Sequence, residues 1–294
     1  MTPGPDHARR VPGSGPHTGH PQAGPGTDRI LPYSRVVAAA VLPFLAVAVV
    51  LLYGLPTRTA ELFAWTIAPP LTAMLLGATY LGGIAFFAQL LRRQPWHRVR
   101  HGVPAVIVFA TALGIATLLH LDRFHPGHVS CVAWAALYAT APVLVLVLLL
   151  LNRPEDPGTP EPADTAIPLP IRIALAGLGA VAGLAGLALV LVPELGALWP
   201  WDLTPLTARV VGAILTLPAL INLPLLGERR WSAYRLLVRA ELIGLAATLL
   251  ALALRAGDLR PERPATPVVV AVLAASFLGL AALSLVLDRR ARRP

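Results

Sequence analysis

The sequence predicts an all-α integral membrane protein of about eight transmembrane helices, arranged as two parallel four-helix repeats. Three observations carry that expectation. Hydrophobic residues make up 56% of the chain and charged residues only 13%. The apolar residues fall in long uncharged runs, as they do in membrane proteins and not in soluble domains. A proline-led motif, Pro70-Leu71-Thr72-Ala73 with Gly77-Ala78, returns as Pro205-Leu206-Thr207-Ala208 with Gly212-Ala213, offset by 135 residues.

Residues 1–32 come first. They are rich in Pro, Gly, His, Ser and Thr and almost free of large apolar side chains before Ile30. Such a segment buries too little surface to offset its ordering entropy, so it is expected to be a disordered tail. His7, His17 and His20 lie in it and are expected to be solvated. The first apolar run starts too late and is too long for a cleavable signal peptide.

Eight runs of spanning length follow, at 36–55, 68–91, 103–121, 129–151, 171–192, 204–226, 236–254 and 266–287. About 20 residues rising ~1.5 Å each cross a hydrocarbon core of ~30 Å. None alternates like a barrel strand, and backbone in lipid must satisfy its own hydrogen bonds, so all are expected to be helices. The seventh is the weakest, because Arg239 and Glu241 shorten its uncharged part. Residues 33–151 form the first repeat and 171–288 the second. Between them, 152–170 is a proline-rich acidic linker, and 289–294 is a basic tail.

Arginine placement sets the orientation. Arg9, Arg10, Arg29 and Arg35 precede the first span, and Arg92, Arg93, Arg98 and Arg100 follow the second. Arg229, Arg230, Arg235 and Arg239 follow the sixth, and Arg289, Arg290, Arg292 and Arg293 end the chain. The alternate loops hold only Arg58, Arg123, Arg255, Arg260 and Arg263. The positive-inside rule then places both termini and the linker in the cytoplasm of a plasma (inner) membrane, with Trp65, Trp199 and Trp201 at the outer interface.

The 135-residue offset extends beyond the motif: Trp96 maps to Trp231, Arg100 to Arg235 and Val103 to Val238. Four spans per half is an even number, so the halves insert alike, about a pseudo-two-fold along the membrane normal. Gly82-Gly83 in the second span corresponds to Leu217-Pro218 in the sixth. Matched helix interruptions point to a transport site near the midplane, whereas a kink that only serves packing is the plainer reading. Gly179-x-x-x-Gly183, with Gly177 and Gly186, is a close-packing face of the fifth span.

The net charge of +9 sits in short loops between spans, so it reads as topology and gives no nucleic-acid partner. The chain has no lysine, which removes P-loop phosphate binding and Schiff-base chemistry through Lys. Cys131 is the single cysteine, so neither an intrachain disulfide nor a cysteine-based zinc cluster forms. There is no His-Glu-x-x-His pair, nucleophile elbow or dinucleotide fingerprint.

The candidate solute-binding residues are Arg209, Asp202, Asn222, Pro218, Gly83, Thr72 and Thr207. Arg209 lies about a turn inside the sixth span, where a charge usually faces protein or a cavity, or else snorkels to the headgroups. Asp202, seven residues earlier, would pair with it if the helix extended that far. Glu241 is expected near the cytoplasmic end of the seventh span, in an interfacial ion network with Arg235 and Arg239, a proton-coupling role being the alternative. His120, His125 and His128, with Asp122 and Cys131, are candidate ligands for Zn or Cu, against a solvated loop. The leading expectation is permease-like transport or binding of a small solute between spans two and six, without enzymatic chemistry. A membrane scaffold or accessory subunit with a membrane-protein partner, and a membrane-embedded metalloenzyme, are the alternatives.

Overall fold

Eight long helices organise the computed structural model, which describes residues 26–92, 94–161 and 164–291. Helix α1 covers Pro32–Val49 and continues as a π-turn through Val50–Gly54. Helices α2 (Pro70–Leu91), α3 (Val103–Leu119) and α4 (Val129–Asn152) complete the first half. The second half holds α5 (Leu169–Leu191), α6 (Pro205–Asn222), α7 (Ser232–Leu254) and α8 (Ala265–Ala291). Each is long and apolar enough to span a membrane. The protein is therefore an all-α, multi-pass membrane protein. Among the described residues no strand forms; Trp65 with Phe124 and Ala166 with Arg230 make isolated bridges.

Helix starts follow from the local sequence. Proline occupies the first turn of α1, α2, α3, α5 and α6, where a missing N–H costs no intrahelical bond. Thr204 and Thr207 add a reciprocal cap to α6, the Thr207 N–H donating to Thr204 Oγ1 at 3.2 Å and the Thr204 N–H to Thr207 Oγ1 at 2.8 Å. Helix α7 begins four residues before the expected start, because a remote carboxylate caps it. The Ser232 N–H donates to Asp164 Oδ1 at 3.0 Å, and the Ser232 hydroxyl donates to Oδ2.

Three expectations need correction. Gly82-Gly83 and Leu217-Pro218 do not break their helices: α2 and α6 run through them without interruption. Trp65 and Trp201 lie at the end of the bundle opposite the start of α1 but are buried, not lipid-facing. Trp65 stacks among Phe63, Phe124 and Trp134, and the Trp201 Nε1–H donates to Thr72 Oγ1 at 2.8 Å. The end of the tail is also structured. Asp28 accepts from the Trp96 N–H through its carbonyl and from the His97 N–H through Oδ1, tying residues 26–31 to the turn before α3. His7, His17, His20, Arg9, Arg10, Arg93, Arg292 and Arg293 lie outside the described residues.

Contacts recur along the chain at the sequence offset. In the first half α1 packs on α2 and α3 on α4; in the second α5 packs on α6 and α7 on α8. The halves meet through α2 with α7 and α3 with α6, two contacts that exchange under the offset. At the end of the bundle opposite the start of α1 the His125 N–H donates to Ala64 O, and the Arg260 N–H donates to Pro200 O. At the end where α1 starts, Asp28 caps the turn at His97 as Asp164 caps Ser232. His97 and Ser232 occupy offset-related positions and touch, Nε2 to Oγ at 3.1 Å.

Candidate functional site

Between the halves lies a cavity of about 280 Å³, running from Trp199 and Trp201 at one end to Phe86 and Gly102 at the other. Its walls come from both halves in offset-related pairs. Gly82 and Gly83 of α2 face the cavity as Leu217 and Pro218 of α6 do, and Ala105 and Val106 of α3 as Ala240 and Glu241 of α7 do. Glycine at 82 is required where α2 and α7 close, because a Cβ there would stand 3.0 Å from Ala240 O. At Gly83 the missing side chain opens the wall, and a Cβ would meet only the end of Leu45 at 3.3 Å.

The walls are overwhelmingly apolar, and most of their few polar groups are spent within the protein. The Thr79 hydroxyl donates to Leu75 O at 3.0 Å and the Thr248 hydroxyl to Gly244 O at 2.9 Å. Tyr80 and Tyr138 share a hydrogen bond of 2.6 Å between their hydroxyls. Two buried wall atoms have no partner among the described residues, Trp199 Nε1 and Glu241 Oε2.

Glu241 is not where the sequence placed it. It stands nine positions beyond Ser232, about 14 Å along a helix that is itself about 34 Å long. No ion pair forms with it among the described residues. Arg239, its expected partner, binds Asp288 at 2.7 Å, and Arg235 Nε is buried without a partner.

Of the candidate solute-binding residues, Pro218 and Gly83 line the cavity and the others do not. Asp202 does not pair with Arg209, because α6 starts only at Pro205 and two later arginines take its carboxylate. Arg260 and Arg263 bind it at 2.5 and 2.6 Å, and they hold it below the usual carboxylate range, Arg260 first. Arg209 donates from Nη1 to His120 Nε2 at 2.6 Å. Burial, and then the Arg209 charge, push His120 below its ordinary value. Thr72 serves Trp201, Thr207 caps α6, and buried Asn222 packs its Cβ against Gly179.

The candidate metal ligands are not brought together. His120 is held by Arg209; the His125 Nδ1–H donates to Phe63 O at 3.2 Å; His128 Nδ1 accepts from the Ser130 N–H at 3.2 Å as the cap of α4. Among the described residues no three His, Cys, Asp or Glu side chains converge on one point.

One sequence signal marks Glu241. It is the one acidic residue inside a spanning helix of the described chain away from the helix ends. Its neighbours Arg235 and Arg239 hide that signal by suggesting an interface. Compared with protein-family models, with curated proteins and with solved structures, the chain matches none. What fold and site define is a class, a polytopic helical membrane protein with an apolar cavity between its halves.

Proposed function

We propose that the protein is permease-like, binding and carrying a small, largely apolar solute in the cavity between α2 and α6. The observation that carries this reading is a single continuous cavity lined by offset-related residues of both halves. Its volume sits near the lower end of the ~300–1,000 Å³ of small-molecule sites. Parallel repeats about an axis along the membrane normal, with a site at their interface, are a transporter architecture. The recurring contacts support treating the halves as such repeats. The arginine distribution supports cytoplasmic termini in a plasma membrane.

A thermal-shift screen of the purified protein against apolar and amphipathic compounds tests the reading, since a ligand specific to the folded state raises its melting point. A shift of several degrees is expected with the native chain and with Arg209→Ala, whose side chain lies outside the cavity. It should vanish in Gly83→Phe and Leu217→Trp, which fill the cavity. Silence across the panel, or shifts that survive both fillings, would instead favour a scaffold.

A further inference from the structure

The cavity holds one feature that packing does not require. Residues of the two halves line it in matched pairs, and the counterpart of Glu241 is Val106, which faces the same space. An apolar side chain thus suffices at this position in one half. In the other half the position carries a carboxylate with a buried, unpartnered oxygen.

An unpaired ionised carboxylate in such surroundings is strongly disfavoured, so it must be neutral or must meet a cation. Among the described residues no cation pairs with it, and Arg235, six positions earlier on the same helix, forms no ion pair with it. Arg239 is taken by Asp288, and the other polar wall groups, Tyr80, Tyr138, Thr79 and Thr248, are hydrogen-bonded elsewhere. The walls add Phe86, Phe109 and Trp199. Aromatic faces attract a desolvated cation as well as an apolar body.

We infer that the ligand of this cavity is an amphipathic cation, an apolar and aromatic-sized body whose positive charge is neutralised by Glu241. This rests on the proposed solute site and specifies its substrate class. The arrangement selects against anions, which would meet the carboxylate. It also selects against strongly hydrated small cations, for which the apolar walls offer no replacement of water.

The test compares phenyltrimethylammonium with its neutral isostere tert-butylbenzene. Binding to the full-length protein in lipid nanodiscs is measured by calorimetry, with empty nanodiscs subtracted. The native chain should prefer the cation by at least about tenfold, the worth of one charge-assisted contact. Glu241→Gln, which keeps size and shape, should remove that preference by weakening the cation alone. Gly83→Phe should abolish binding of both. Equal binding of the two compounds to the native chain, or an undiminished preference in Glu241→Gln, overturns the cation inference and leaves the solute site standing. Binding of neither compound to the native chain overturns the inference, and binding that survives Gly83→Phe overturns the site itself.

Discussion

Glu228 and Arg230 are the residues that tie the linker to the two halves. Glu228 Oε1 accepts from the Arg230 N–H and Nε–H at 3.0 Å each, and Oε2 accepts from Arg230 Nη2 at 2.6 Å. Asp156 from the linker binds the same guanidinium at 3.1 Å and Arg100 at 2.7 Å, so the linker is ion-paired to both halves. Burial opposes ionisation of Glu228, but the bonds from His101 and Arg230 outweigh it and hold the carboxyl far below its ordinary range. Asp156 is depressed in the same way, against burial, by Arg230, the Gly158 N–H and Arg100. A depressed carboxylate adds stability above its unfolded value, and loses it as pH falls towards the folded one. The melting point in detergent should therefore hold from about pH 7 to about pH 5 and fall steadily below, as the unfolded-state carboxylates near pH ~4 take up protons. Glu228→Gln should cost on the order of 3 kcal/mol at neutral pH, by stripping one partner from a buried guanidinium, and should flatten the acid limb. An acid limb identical to that of the native chain would show that the pair carries none of it.

Among the elements, α5 and α6 approach most closely, and glycine is the reason. A Cβ on Gly186 would stand 2.5 Å from Gly212 O, one on Gly179 2.7 Å from Pro218 O, and one on Gly183 2.5 Å from Ala219 Cβ. Gly177, on the other side of α5, would meet nothing within 4 Å. The close-packing face visible in the sequence is thus used within the chain, and Gly177 is not part of it. Gly186→Leu should destabilise the protein by about 3 kcal/mol or more, because the obstacle is backbone rather than a side chain that can rotate away. Gly177→Leu should leave the melting point within a degree or two; equal losses in both would mean that the close approach is not limiting. Helices of this kind are legible because length and hydropathy are local properties. The start of α7 is not legible, because its cap, Asp164, comes from the linker 68 residues earlier in the chain. That shift moves Glu241 from an expected interface into the cavity wall. The pairing of Asp202 is not legible for the same reason, since its partners Arg260 and Arg263 are remote in sequence. Gly83 and Pro218, expected as matched helix breaks, lie in unbroken helices whose faces line the cavity.

For the molecule as a whole, the open question is which way it faces, and its composition offers a clean test. Loops after odd-numbered helices share one side: Phe124 pairs with Trp65, and Arg260 with Asp202. The other side gathers Asp28, His97, Glu161, Asp164 and Ser232, linked through His97 and Ser232. Arginine is concentrated on this second side, and the positive-inside rule predicts that it is cytoplasmic. Cys131, half-buried at the start of α4, belongs to the first side and is the only cysteine. A membrane-impermeant maleimide applied to intact cells should therefore label the native chain, read on the purified protein, at this one thiol. To separate orientation from thiol access, Cys131→Ser is combined with Gly257→Cys on the outer side or Gly227→Cys on the inner. A Cβ at Gly257 has open space around it, and one at Gly227 comes no nearer than 3.9 Å to Pro224 O. Gly257→Cys should react in intact cells and Gly227→Cys only after permeabilisation. The opposite pattern would invert the topology and put the acidic linker outside, where the ion pairs binding it to Arg98, Arg100 and Arg230 would face the external medium instead of the cytoplasm.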